Sequence, residues 1–342
     1  MAKASISGCK IAGICTSVPS RCFDNIKDTS EFTEGEVKKV VALAGVSTRR
    51  VVDEKTCSSD LCSAAARSLI DSLKWGPDSI DALIMVTQTP DYFLPQTSSL
   101  VHKHLKLSQN CATFDVGLGC SGYPYGLWLA SMMLKTGNLS RIILCHGDTP
   151  ARYTHNSDRS VSLLFGDAGS ATAIELENSE NPGKWFYMLH TDSNGYDDMI
   201  IEGGAFRERF PEEQRRCFLR MKGANVFNFT LKRVPALISD TLQFSKLNME
   251  EIDYFILHQS NQFIMRHLAN KINLPLSKVP VILKEYGNTG GCSVPLTITN
   301  GKLNRSQDKP LKIMLVGYGV GLSWASALIS LNPEAMLNHI EL

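Results

Sequence analysis

The sequence predicts an α/β protein made of two similar halves, and three observations predict it. Short apolar runs (Ala82–Val86, Ala112–Val116, Arg141–Gly147, Phe255–His258 and Lys312–Gly317) alternate with segments of helical period. Runs apolar throughout are buried on both faces, which argues for parallel sheets covered by helices. Gly119-Cys120-Ser121 recurs as Gly291-Cys292-Ser293, 172 residues further on, and Ile80-Asp81 recurs as Ile252-Asp253 at the same offset. An amphipathic stretch precedes each of the two related runs, Ser63–Leu73 in one half and Arg233–Phe244 in the other. The polar segment 177–184, with Pro182-Gly183, divides the halves into 1–178 and 179–342. A body of this kind places its active site where the halves meet, at the carboxyl ends of strands.

Taken in order, residues 1–20 read as a strand rich in β-branched residues. They lack a basic head and apolar run, so no signal peptide is expected. No stretch reaches 18 consecutive apolar residues, so no membrane span is expected. With ten cysteines in a chain of 342 residues and no C-x-x-C pair, reduced thiols and a cytoplasmic setting are expected, with no structural zinc. His102-Lys103-His104 reads as a surface helix rather than a metal site. A formal net charge of +1 favours neither nucleic acid nor a membrane surface, and Arg49-Arg50 and Arg215-Arg216 read as solvated faces.

The chemistry-bearing segments follow. A strand ends near Val116; Gly117, Gly119 and Gly122 permit a sharp turn; a helix runs through Leu127, Ala130, Met133 and Leu134, closed by Lys135 and Gly137. Cys120 thus stands at a helix start, where dipole and free N–H groups lower a thiol pKa. Cys292 occupies the matching place in the second half and is a rival nucleophile. His258 ends an apolar strand, a position suited to a general base or hydrogen-bond donor. Asn288 lies in the glycine-rich loop Tyr286–Gly291. Pro235 is expected to start or kink its helix. Gly317, Gly319 and Gly321 follow a strand with no helix signal after them, which fits a backbone N–H presented to an oxyanion better than a dinucleotide fingerprint.

Together, Asp115–Leu127, Asp158–Ala171, Met221–Phe227, Leu257–Asn261, Tyr286–Thr297 and Gly317–Ser326 resemble the thiolase superfamily, and within it the β-ketoacyl-ACP synthase III group. The resemblance implies a thiolase-like fold, a layered α-β-α-β-α body. It implies that Cys120 accepts an acyl group as a thioester, which leaves Cys292 without that role. It implies that neutral His258 and Asn288 donate hydrogen bonds to an extender thioester, and that the N–H groups of Cys120 and Gly321 form the oxyanion hole. The substrates would be acyl-CoA or acyl carrier protein (ACP) thioesters, with no further cofactor. Decarboxylative Claisen condensation with a malonyl thioester, such as malonyl-ACP, is the implied reaction. Acyl transfer to an alcohol or amine, or a non-catalytic partner subunit, are the alternatives. A hydroxymethylglutaryl-CoA-synthase-like aldol reaction needs a glutamate where Gln88 stands, and chalcone-synthase-like enzymes fit Leu257–Asn261 less well.

Other expectations concern the substrate. Arg159, Arg266 and Lys271 are the candidates for carrier or CoA binding, and Leu94 and Phe227 for the acyl pocket. Lys39 and Leu43 stand where a CoA-clamping tryptophan and arginine are common, and Phe263 where a carrier-binding arginine is, so ACP is expected to prime better than CoA. The resemblance implies a homodimer in which the loop Thr89–Gln96 reaches the neighbouring site.

Overall fold

A computed structural model of the chain describes residues 2–136, 138–180 and 182–342. Gly137, expected to close a helix, and Asn181, in the segment between the halves, lie outside the described residues. The N-terminal stretch forms two strands, β1 (Ala2–Ser7) and β2 (Cys9–Val18), broken at Gly8 with φ 82°. The ribbon β3 (Cys22–Asp24) and β4 (Thr48–Arg50) brackets α1 (Glu34–Ala44). A capping box of Thr33 and Glu36 starts α1, and Gly45 ends it at φ 78°. Then come α2 (Ser58–Leu73), β5 (Ala82–Val86), α3 (Thr97–Leu105), β6 (Ala112–Val116), α4 (Gly122–Lys135), β7 (Arg141–Asp148) and β8 (Ala168–Leu176).

The second half runs through β9 (Lys184–Thr191), the ribbon β10 (Met199–Ile200) and β11 (Arg220–Met221), α5 (Gly223–Ser245) and β12 (Tyr254–Leu257). It continues with α6 (Gln262–Lys271), α7 (Leu283–Tyr286), α8 (Ser293–Asn300), β13 (Leu311–Gly319), β14 (Ser323–Leu331) and β15 (Met336–Glu341). All five apolar runs form strands, with His258 lying just past the end of β12.

The sheets are mixed, which corrects the expectation of parallel ones. One has the order β15-β2-β8-β7-β5-β6 and the other β1-β9-β14-β13-β12. Within them, β2-β8-β7-β5 and β9-β14-β13-β12 repeat the same directions: antiparallel, antiparallel, parallel. The pseudo-repeat is real in three dimensions. The division at 178/179 falls between β8 and β9, but each half lends a terminal strand to the other's sheet: β1 pairs with β9, and β15 with β2.

Helices α4 and α8 lie between the sheets. Leu127, Ala130 and Leu134 of α4 and Val294 and Ile298 of α8 share one core with inward residues of both sheets, among them Ile84, Leu144, Ile256 and Leu315. α2 and α3 cover the outer face of the first sheet and α5 and α6 that of the second. This is the α-β-α-β-α layering of the thiolase fold.

Pro235 lies inside α5 rather than at its start. It has no N–H for the carbonyl of Leu231, and Lys271 Nζ donates to that carbonyl instead, at 2.8 Å. Arg49 is not on a solvated face. It is 6% exposed, its Nε donates to Asn25 Oδ1 at 2.7 Å and its Nη1 to the Phe165 carbonyl at 2.9 Å. Among the described residues, no helix is long and apolar enough to cross a membrane.

Candidate active site

The turn after β6 carries Cys120 to the start of α4, against the end of β13. Small residues make the approach possible. A Cβ on Gly119 would overlap the Gln88 side chain, and one on Gly319 would fall 2.8 Å from Cys120 Cβ and Sγ. Ser121 fastens the turn to β14 through Ser323 Oγ at 2.6 Å.

Cys120 is 7% exposed, and burial, reinforced by the charge of Asp148, pushes its thiol up to about 12. Hydrogen bonds from the backbone N–H groups of Val320 and of Cys120 itself pull the other way without prevailing. Burial therefore works against the lowering expected at a helix start. The backbone donor beside the sulfur is Val320, one residue before the expected Gly321. Cys292 is wholly buried at the start of α8, and burial pushes its thiol up strongly as well.

His258 follows β12 and is 2% exposed. Burial lowers it to about 4; a hydrogen bond to the Gly290 backbone opposes this and the field of His146 adds to it. The ring is neutral at pH 7, the state expected of a donor. Its Nδ1 lies 2.8 Å from Ser293 Oγ. Asn288 is 5% exposed and fixed on both sides. Its Oδ1 accepts from the Gly290 N–H at 3.0 Å, and its Nδ2 donates to the Ser260 carbonyl at 3.3 Å. Its backbone bridges Phe165, the residue whose carbonyl Arg49 holds.

Cys120, His258 and Asn288 line one cavity of about 100 Å³, with Leu164, Phe165, Met221, Val226 and Ile264 among the apolar walls. Cys292 is not among the lining residues. Leu164, Met221 and Asn261 also line a larger groove of about 830 Å³. Lys39, Leu43, Arg159 and Phe263 line this neighbouring groove as well.

Other expected site residues lie elsewhere. Arg159 reaches the groove but pairs with Glu36 at 2.9 Å. Arg266 is exposed on α6. Lys271 is committed to the Leu231 carbonyl, so its place is explained by helix packing. Phe227 is absent from the cavity lining and stacks on Phe263 at 5.5 Å; Val226 lines the cavity instead. Leu94 is 86% exposed and does not line this chain's cavity. Val320 and Ser293 join the site without having stood out in the sequence. Val320 is flanked by the noted Gly319 and Gly321, and Ser293 closes the repeated tripeptide. Gln88 packs its neutral amide against Gly119, so no carboxylate takes the aldol-type position.

The family model described as 3-oxoacyl-[acyl-carrier-protein (ACP)] synthase III matches residues 114–195, and the model of its C terminal matches 242–331. Cys120 falls in the first, His258 and Asn288 in the second. A Campylobacter jejuni protein provisionally named 3-oxoacyl-[acyl-carrier-protein] synthase 3 is 35% identical over 341 residues, covering 94% of this chain and 93% of that one. The β-ketoacyl-[acyl-carrier-protein] synthase III of Clostridium tetani is 30% identical, covering 88% and 92%. The crystal structure of a 3-oxoacyl-(acyl-carrier protein) synthase from Burkholderia xenovorans LB400 superposes with a TM-score of 0.95 at 39% identity, over 100% of this chain and 99% of that one. This chain belongs to the 3-oxoacyl-[acyl-carrier-protein] synthase III family of thiolase-fold condensing enzymes.

Proposed function

We propose that the protein loads an acyl group on Cys120 and condenses it with a malonyl thioester, releasing CO2. One observation carries this reading: three side chains from distant segments, Cys120, His258 and Asn288, open into a single cavity. Cys120 Sγ attacks the acyl thioester, the N–H groups of Cys120 and Val320 receive the oxyanion, and the carrier thiol leaves with the thiol proton. The malonyl thioester then enters. His258 and Asn288 donate to its carbonyl, the C–CO2 bond breaks, and the enolate carbon attacks the acyl carbonyl. Cys120 departs as thiolate and takes up one proton. The role asked of His258 needs its proton on Nε2, which a Ser293 hydroxyl donating to Nδ1 would favour.

Intact mass after incubation with acyl-ACP or acyl-CoA, then with malonyl-ACP, tests the reading. The adduct should map to Cys120, vanish in Cys120→Ala, and be discharged as a β-ketoacyl product. Label on Cys292 with Cys120 clean would overturn the assignment. An adduct discharged only by alcohols or amines would favour simple acyl transfer.

The donor is a carrier-borne or CoA-borne thioester. Leu43, 60% exposed, and Lys39 give the groove no clamp for a nucleotide, which supports ACP. A second reading rests on Phe263, 39% exposed in the same groove and backed by Phe227, because an aromatic face there suits a nucleotide base. Comparing kcat/KM for one acyl chain on both carriers, at low and raised salt, in wild type and Phe263→Ala, separates them. A CoA preference lost in Phe263→Ala selects the second reading.

The protein acts as a cytoplasmic homodimer in this proposal. β6 is an edge strand, and Tyr92, Phe93 and Leu94 are exposed on the loop Thr89–Gln96, which follows its neighbour β5. That exposed apolar surface suits a second copy.

A further inference from the structure

Arg49 does not line the catalytic cavity, yet it grips the wall of that cavity from behind. Phe165 lines the cavity, and its carbonyl accepts from Arg49 Nη1 at 2.9 Å. An apolar residue of similar volume often serves stability as well as a buried charge does, so what a buried guanidinium holds is informative. Arg49 and Asn25, just after β3, form one unit. Arg49 Nε donates to Asn25 Oδ1 at 2.7 Å, and Asn25 Nδ2 donates to the carbonyls of Val46 at 3.1 Å and Leu163 at 2.9 Å. Asn25 is 0% exposed.

The carbonyls of Leu163, Leu164 and Phe165 alternate in direction. Those of Leu163 and Phe165 face Asn25 and Arg49. That of Leu164 faces the other way and accepts the Asn288 N–H at 2.9 Å; next to it the Gly166 N–H donates to the Asn288 carbonyl at 3.1 Å. This bridge between Phe165 and Asn288 stands outside the named strands, so no sheet steadies it. Arg49 also touches its far side. A Cβ on Gly287, the residue before Asn288, would fall 3.1 Å from Arg49 Cγ, and φ of 68° there favours glycine in any case. Just ahead of β4, the Ser47 N–H donates to the Lys284 carbonyl at 3.0 Å, which holds α7, the helix leading into the Asn288 loop. The Asn288 amide has two N–H groups: one goes to the Ser260 carbonyl, and the other is left for a substrate. Where that second N–H points depends on the backbone that Arg49 and Asn25 brace.

We propose that Asn25 and Arg49 are positioning residues for Asn288: they fix segment 163–166, and that segment sets the backbone from which the Asn288 amide is aimed into the cavity. The inference rests on the function proposed above, which makes Asn288 a donor to the extender carbonyl. An arginine suits the place because one planar group serves Asn25 Oδ1 and the Phe165 carbonyl together, whereas a lysine has a single nitrogen. A donor displaced by about 1 Å can cost on the order of a hundredfold in rate.

The test is a double-mutant cycle read by single-turnover kinetics, with loading of Cys120 and condensation with malonyl-ACP measured separately. Arg49→Lys and Asn25→Ala should each slow condensation about tenfold and slow loading far less. In an Asn288→Ala background, either substitution should slow condensation by less than about twofold more, because the amide they aim is gone. Equal losses in loading and condensation, or a tenfold effect that persists in the Asn288→Ala background, would overturn the proposal and assign the pair to the fold alone. Should Arg49→Lys fail to fold, Asn25→Ala decides by the same criteria. Near-wild-type condensation by Asn288→Ala itself would bring down the donor role and this inference with it. That failure is distinct from a persisting Arg49 effect in a background that Asn288→Ala has already impaired.

Discussion

Ser293 Oγ lies 2.8 Å from His258 Nδ1 and also accepts the Gln259 N–H at 3.1 Å, so one hydroxyl ties the strand that carries the histidine to the start of α8. The serine belongs to the second Gly-Cys-Ser tripeptide. Its counterpart Ser121 binds Ser323 beside the nucleophile. The duplicated turn thus supports both parts of the site, once for the cysteine and once for the histidine.

Ser293→Ala should slow condensation about fivefold, because a lost hydrogen bond of roughly 1 kcal/mol frees the ring to turn. Acyl loading should change far less. Single-turnover kinetics that separate the two half-reactions check this; equal losses in both would assign Ser293 to the fold alone.

Gly319→Ala should block loading. The new methyl would stand 2.8 Å from Cys120 Cβ and Sγ, with the cysteine buried and unable to yield. We expect at least about a hundredfold drop in acyl-enzyme formation, the scale of losing one oxyanion donor. Mass spectrometry measures the adduct, and a near-native circular dichroism spectrum confirms folding.

Lys271→Ala should act on stability. It uncaps the Leu231 carbonyl that Pro235 leaves without an internal donor, at a cost of about 1 kcal/mol. Thermal denaturation should show a Tm lower by about 1–2 °C, with kcat/KM for acyl-ACP unchanged. Arg266→Ala, on the exposed side of the same helix, should show the reverse pattern.

His258 gives the fold a pH dependence with a definite sign. It is neutral in the folded state down to about 4 and titrates near 6.5 when unfolded. Between those values the unfolded chain binds the extra proton, so stability falls as pH drops from 6.5 towards 4. Asp167, raised by burial to about 6, has the opposite slope over about 4–6 because its folded form holds the proton. The two offset each other in wild type. His258→Gln removes the first alone, so its stability relative to wild type should improve by about 2–3 kcal/mol between pH 7 and pH 4. Urea denaturation at both values checks this.

Much of this was legible in the sequence for a physical reason. Ala82–Val86 is an apolar run bounded by Asp81 and Thr87, and it is a strand over that whole length. Strands β8 and β14 escaped notice because they are built from small and hydroxylated residues, as in Ala168–Leu176 and Ser323–Leu331. Strand direction escaped too, since periodicity reports burial and not polarity. Cys120, His258 and Asn288 stood out because each sits where an apolar strand or glycine loop ends. The donor at Val320 did not, because which of two adjacent N–H groups faces the sulfur depends on a single peptide's orientation. Lys271 looked like a free surface cation until its acceptor appeared, and that acceptor exists only because Pro235 sits in mid-helix.

The exchange of terminal strands constrains how the molecule is made. β2 pairs with β8 on one side, but its other side waits for β15, with Gly13 opposite Met336 and Val18 opposite Glu341. During synthesis on the ribosome, the first sheet therefore keeps an open edge until β15 has emerged, more than 300 residues after β2. An open edge is a template for mispairing, and contacts this distant in sequence are slow to form. The half that carries Cys120 waits for a strand from the other half, so a nascent chain released before β15 would expose the flank of β2 to other chains.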